Sequence, residues 1–391
     1  MFNYKYLSQN HLKGFDKYKY SAIDTSPLSN YVMHPSWNYC VQFIPKWIAP
    51  NLLTFAGFVC MVIDVVILSI YDYKLYASGG PADRIINETE LPFWVYPVCG
   101  LLLFLAYNLD GIDGKQARRI GVSGPLGEMF DHGLDSYIVF LIPYCLVSLF
   151  GRDHDFSIPT FRGFLLCVSI TLNFYTSHCE KYSTGTLFLP WGYDLSMWVA
   201  TILFLVPYFL GRDVYKFYMF GDITFVQFLE VLIHATGLFT TLPVAIYNVY
   251  LYRKSQKSTK MTLLQAFKPV WSMLTMILIL TTWALHSPND IMLYDPRAFF
   301  LLYGTLFSNI SSRLIVAIMG SQRCEAVCWL SYPLLVSTLV SLTWPAVEIV
   351  LFYGFTLIAI GAHVHYGICV VQQICSYLKI KCFVVPKEKI K

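Results

Sequence analysis

Long apolar runs separated by short polar connectors fill the chain from residue 52 to residue 368. Ten of them, roughly 52–71, 91–109, 136–150, 158–177, 195–211, 224–251, 270–286, 298–320, 327–344 and 346–368, are near the length a helix needs to cross about 30 Å of hydrocarbon. The third is expected to extend backwards through a polar stretch at 131–135. Pro143, Pro207 and Pro243 are placed to kink their helices, because each removes a backbone donor. The pattern predicts an all-α polytopic membrane protein of about ten transmembrane helices. The first 48 residues lack the apolar core and cleavage site of a signal peptide, so the first span is expected to direct insertion. With their tyrosines, lysines, Trp37 and Trp47, they read as an amphipathic arm lying at the interface.

Composition supports this reading without changing it. The 391 residues are 56% hydrophobic, 17% aromatic and 13% charged, which leaves no soluble domain. Charge adds an orientation: with the N-terminus in the cytosol, 20 of the 28 lysines and arginines fall on the cytosolic side. A glycosylation sequon at Asn87–Thr89 then falls on the lumenal side. Eleven cysteines, scattered mainly through the spans, read as reduced packing residues, and Cys324 and Cys328 lack a second pair to complete a metal site. No repeat of solenoid length is present, and no nucleic-acid partner is expected. The lysine-rich end, 379–391, reads as a basic cytosolic tail that meets anionic lipid or ends disordered.

Within this oily chain Asp110, Asp113, Asp131 and Asp135 are conspicuous. Ionised carboxylates near a bilayer cost several kcal/mol each unless compensated, so four together imply a bound cation or a buried reaction centre. Spacings of three and four residues put each pair on one helix face, and two such faces turned together make a box of oxygens. Hard divalent ions such as Mg2+ or Mn2+ suit that box, and two ions bridged by shared carboxylates would offset the repulsion of four like charges. Gly114, Ala117 and Gly127 line the facing surfaces with small side chains, leaving room for a guest. A divalent pair beside a basic residue is suited to phosphoryl transfer.

The pattern D-x-x-D-G-x-x-A-R-x8-G-x3-D-x3-D, met at every position from Asp110 to Asp135, resembles the signature of the CDP-alcohol phosphotransferases. Around it, FDKYKY at 15–20, YVMHP at 31–35, APNLLT at 49–54, DHGLD at 131–135 and LFLPWGYD at 187–194 resemble the ethanolamine branch of that family in animals. The likeness spans nearly the whole chain. It implies attack of a diacylglycerol hydroxyl on the β-phosphate of CDP-ethanolamine, giving phosphatidylethanolamine and CMP, with choline or dual use as the alternative. It further implies a homodimer of the endoplasmic reticulum or Golgi membrane with its site facing the cytosol. Residues 49–251 are then the catalytic core, and 252–378 additional helices for lipid access or dimer support.

The resemblance also assigns roles. Asp110, Asp113, Asp131 and Asp135 become metal ligands, with a base role open for Asp135. Arg118 holds the CDP diphosphate through its forked guanidinium, or else a phospholipid headgroup. Asn51 contacts the nucleotide, or caps its helix. His132, inside the turn shared by choline and ethanolamine enzymes, is the leading general base, against a structural role beside Asp131. The glutamate that orients this histidine in dual-specificity relatives is absent, since the corresponding stretch reads DLSM at 194–197. Glu180 is one substitute, against an ion pair with Lys181; His178 is similarly open, and Glu128 either touches nucleotide or caps its helix. Arg313, Glu348, His363 and His365 suggest a competing ion-coupled transporter, but half the motif's polar weight lies at a helix end and no inverted halves are apparent. A non-catalytic scaffold is disfavoured by the presence of all four aspartates.

Overall fold

The computed structural model describes residues 4–77, 90–189, 192–255 and 261–390. Each of the ten apolar runs is helical: α1 Pro50–Tyr71, α2 Val95–Arg119, α3 Pro125–Phe150, α4 Thr160–Thr184, α5 Tyr193–Leu210, α6 Phe225–Ser255, α7 Lys268–His286, α8 Pro296–Met319, α9 Ser331–Thr343 and α10 Pro345–Leu378. Among the described residues, eight of these are long and apolar enough to cross a membrane. The two exceptions have separate causes. Helix α9 has 13 residues, about 20 Å at 1.5 Å each, and the chain leaves helical conformation at Trp344, the residue before Pro345. Helix α4 has 25 residues but carries Asn173, Ser177, His178, Glu180 and Lys181 in its second half. That polarity faces protein and cavity rather than lipid, which is why hydropathy alone undervalues it.

Helix α3 starts six residues before Asp131, so the stretch at 131–135 is continuous helix rather than a turn. Pro143 and Pro207 lie inside unbroken helices, whereas the ladder of α6 slips into a π-turn over Gly237–Thr241, just ahead of Pro243. The sequon at Asn87–Thr89 lies outside the described residues. All eleven cysteines are free thiols, as expected.

Helix α1 packs on α2 and α3, α2 on α5, α3 on α8, and α4 on α6 and α8, while α7, α9 and α10 close the far side. Helix α8 runs through the centre and is buried along most of its length. Two close approaches set the spacing of this core. A Cβ on Gly57 would stand 3.1 Å from the Ala106 carbonyl oxygen, and one on Gly304 would overlap the Phe140 ring. Small residues at these points let α1 reach the backbone of α2, and let the Phe140 ring of α3 lie against α8.

The N-terminal arm is more tightly docked than an interfacial helix. Its helix Gln9–Lys17, capped by Ser8, buries Leu12 and Phe15 with Val316 and Met319 at the end of α8. Gly14 sits so close to the Gly320 backbone that no Cβ fits between them. Trp37 is also buried, while Trp47 stays 64% exposed. A short strand, β1 Ala22–Asp24, pairs in parallel with β2 Leu187–Leu189 and ties the arm to the entry of α5. The arm, the start of α1, the end of α2 and the start of α3 thereby gather at one end of the bundle.

Candidate active site

The last turns of α2 and the first turns of α3 bring the aspartates together. One oxygen each from Asp110, Asp113 and Asp131 lie within 4.8 Å of one another, and so do the ligand atoms of Asp131, His132 and Asp135. Asp110 also lies against both Asp131 and Asp135 across the helix interface. The expected box therefore forms. Its supports are specific: the Thr54 hydroxyl donates to Asp113 from α1, and the Tyr193 hydroxyl donates to Asp110 from α5 at 3.3 Å. Buried Oδ1 of Asp131 has no hydrogen-bond partner. Clustered carboxylates with an unsatisfied buried oxygen fit a hard divalent cation, which would satisfy the oxygen and offset the mutual repulsion.

Gly111, inside the motif, has a second function. A Cβ there would overlap the Trp37 indole, whose Nε1 donates to Asn108 at 3.1 Å. The arm therefore lies directly on the helix that carries Asp110 and Asp113. Gly114 lies beneath the Arg118 guanidinium, since a Cβ on it would be 3.4 Å from Nη1. Arg118 is exposed and faces the same cavity as the aspartates.

His132 is 8% exposed and stands between two carboxylates. Its Nδ1 is 3.7 Å from Asp135 Oδ2, and its Nε2 is 3.9 Å from Glu128 Oε1. The glutamate beside the histidine is therefore Glu128, one turn earlier on the same helix, though 3.9 Å is no hydrogen bond and the buried Nε2 has no partner among the described residues. Glu180 instead accepts from Asn248 at 2.7 Å, and its neighbour Lys181 reaches Glu128 at 2.6 Å. The Tyr18 hydroxyl also donates to Glu128, and Lys181 lies over the rings of Tyr18 and Tyr20, 5.6 and 5.1 Å from their centroids. Burial, followed by the charge of Glu128, raises the pKa of both tyrosines, so they remain uncharged at physiological pH. His178 faces His132 with ring centroids 5.5 Å apart, and its Nδ1 lies 3.0 Å from the Phe174 carbonyl oxygen.

Asn51 is buried and does not cap its helix: its amide donates to the Cys382 carbonyl oxygen at 3.0 Å. Sequence reasoning missed Thr54, Tyr193 and Asp194 as supports, although all three lie inside quoted motifs. Asp194 accepts from Tyr107 at 2.5 Å and from Ser29, fixing the start of α5. The late charged residues find partners within the bundle. Glu348 is fully buried among donors, Arg313 stacks over Tyr366 at 4.6 Å with its Nε on Asn309, and His363 lies 3.4 Å from the Ser308 hydroxyl.

The aspartates open into a cavity of about 1910 Å3. That exceeds the roughly 300–1,000 Å3 of an ordinary small-molecule site. One end is polar, lined by Arg118, Lys115 and Lys19 besides the aspartates; the other is apolar, lined by Ile142, Leu146, Leu203 and Leu229 between α3, α5 and α6. A charged nucleotide and an oily acceptor can therefore meet at the carboxylates.

A family model described as CDP-alcohol phosphatidyltransferase matches residues 47–308. Ethanolaminephosphotransferase 1 of Homo sapiens is 40% identical over 389 residues, covering 99% of this chain and 96% of that protein. The Mus musculus protein of the same name is likewise 40% identical, over 390 residues and the same shares of both chains. Choline/ethanolaminephosphotransferase 2 of Arabidopsis thaliana is 26% identical over 409 residues, covering 98% of this chain and 99% of that protein. With all of the signature's aspartates gathered at one site, the chain belongs to the CDP-alcohol phosphatidyltransferase family.

Proposed function

We propose that this membrane protein transfers phosphoethanolamine from CDP-ethanolamine to diacylglycerol, releasing CMP and leaving phosphatidylethanolamine in the bilayer. The observation that carries the reading is the convergence of Asp110, Asp113 and Asp131 oxygens within 4.8 Å, at the junction of the polar and apolar ends of one cavity. Ethanolamine is favoured over choline by the 40% identity to proteins named for ethanolamine, against 26% for one named for both. Asp110, Asp113, Asp131 and Asp135 would hold Mg2+ or Mn2+, two ions in this reading, which when bound neutralise phosphate oxygens. Arg118 grips the diphosphate with its fork from the α2 end. Asn51 borders the nucleotide chamber beside Gly127, whose Cβ position is 3.6 Å from its Oδ1.

Diacylglycerol lies in the apolar end with its hydroxyl at the carboxylates. His132 Nδ1, on the side of the ring facing Asp135, takes the hydroxyl proton as oxygen attacks the β-phosphorus in line. The bond from that phosphorus to the oxygen bridging to the α-phosphate breaks, and CMP departs. Glu128, held by Lys181 and Tyr18, steadies the imidazolium from the Nε2 side. The polar mouth and both termini face the cytosol from the membrane of the endoplasmic reticulum or Golgi, consistent with the excess of Lys and Arg on that side. In this division, residues 49–251 carry the reacting groups and 252–378 support them, and the protein is a homodimer.

Purified protein in lipid vesicles, given labelled CDP-ethanolamine and diacylglycerol, should form labelled phosphatidylethanolamine only with a divalent cation. No lipid product under any cation would overturn the reading. Equal amounts of CDP-choline as competitor, with Mg2+ and then Mn2+, would decide headgroup and ion together.

A further inference from the structure

The lysine-rich end of the chain does not trail away along the lipid. Helix α10 stops at Leu378, and Lys379 takes a left-handed conformation with φ 56°, unusual for a residue other than glycine. The chain then folds back across the cytosol-facing end of the cavity. Val385 is buried with Ala49 and Ile120, and Phe383 packs its ring against Phe55 and Phe130, at 5.8 and 5.4 Å between centroids. The Cys382 carbonyl accepts from Asn51. Burial pushes the Cys382 thiol up to about 11, so it remains uncharged at this seam. Lys379, Lys381, Lys387 and Lys389 all line the same cavity as the aspartates, and Lys389 Nζ is 3.6 Å from the Cβ position of Gly121, in the loop between α2 and α3.

Apart from any cation held by the aspartates, Arg118, Lys115 and Lys19 are cationic residues lining the polar end from the arm and α2, and the chain beyond α10 adds Lys379, Lys381, Lys387 and Lys389 to the same lining. We infer that the segment from Lys379 to Lys389 is the missing wall of the nucleotide chamber, its lysines drawing in the diphosphate that Arg118 grips. This rests on the function proposed above. The shared chemistry is a phosphate anion, and the alternative source is an anionic lipid headgroup at the same membrane surface.

The test is a Lys381→Gln/Lys389→Gln pair, with a Lys381→Arg/Lys389→Arg pair and a chain ending at Leu378 beside it. Each is assayed in phosphatidylcholine vesicles with and without phosphatidylserine. The glutamine pair should raise the KM for CDP-ethanolamine about tenfold in both vesicles, equivalent to ~1.4 kcal/mol, with the KM for diacylglycerol unchanged. The arginine pair should stay within about twofold of the parent, and truncation should raise the nucleotide KM at least as much as the glutamine pair. An unchanged nucleotide KM in both the glutamine pair and the truncation would overturn the inference. So would an effect seen only with phosphatidylserine, which would make the ligand a lipid, or faster turnover on truncation, which would make the segment an inhibitory lid. Absence of metal-dependent transfer by the parent protein would instead overturn the proposed function.

Discussion

Two carboxylate regions, one buried and one half-buried, stand at opposite ends of the bundle, and they are satisfied in opposite ways. At the end away from the cavity mouth, Glu348 accepts from Trp283 Nε1 at 2.8 Å, the Ser287 hydroxyl at 2.7 Å, and the backbone and side-chain nitrogens of Asn289, both at 2.9 Å. Neutral donors complete that group, and its chemistry ends there. At the mouth, Asp110, Asp113, Asp131 and Asp135 face one another with few donors, and Asp131 keeps a buried oxygen without a partner. An acid buried for stability is surrounded by donors, whereas acids clustered for work are left needing something the chain does not supply.

Substitutions should separate the two regions, beginning with the motif. Asp113→Asn should reduce turnover to background while leaving the melting temperature equal to or above that of the parent, since one of four like charges is gone. Mg2+ or Mn2+ should raise the parent's melting temperature and not the variant's, and a chelator should reverse it. Parental activity in Asp113→Asn would end the metal assignment. His132→Ala should lower turnover by about 10²–10⁴ with little change in nucleotide KM; equal losses in both would make the residue structural.

Glu348→Ala should behave in reverse, because the buried Trp283 Nε1 loses its acceptor at about 1–3 kcal/mol and the half-buried Ser287 and exposed Asn289 lose theirs at less. The melting temperature should fall while the folded fraction keeps its specific activity, and a selective loss of turnover would erase the contrast. Lys181→Ala should do both: breaking a buried ion pair costs about 3–5 kcal/mol, and Glu128 would lose the partner that holds it beside His132. Arg118→Lys should produce the smallest change, a nucleotide KM raised several-fold with stability unaltered. An unchanged dissociation constant for CDP-ethanolamine would remove that contact.

Much of this was legible in the sequence because the signals are local. The length of the apolar runs located ten helices, and spacings of three and four residues put the aspartates on facing sides. What escaped depended on distant packing. Glu128 and Lys181 are 53 residues apart and meet only because α3 packs beside α4. Thr54 reaches Asp113 across 59 residues because Gly57 lets α1 close on α2. Helix α9 looked long enough only because its apolar run continues through non-helical residues before Ser331. The lysine-rich end, which suggests a solvated tail, is held by Val385, Phe383 and a backbone carbonyl, none of which announces a partner.

The left-handed turn at Lys379 has a consequence for biosynthesis. Since the residues beyond it line the cavity, the reaction chamber gains this side only after α10 has been made, when the earlier helices have already settled in the bilayer.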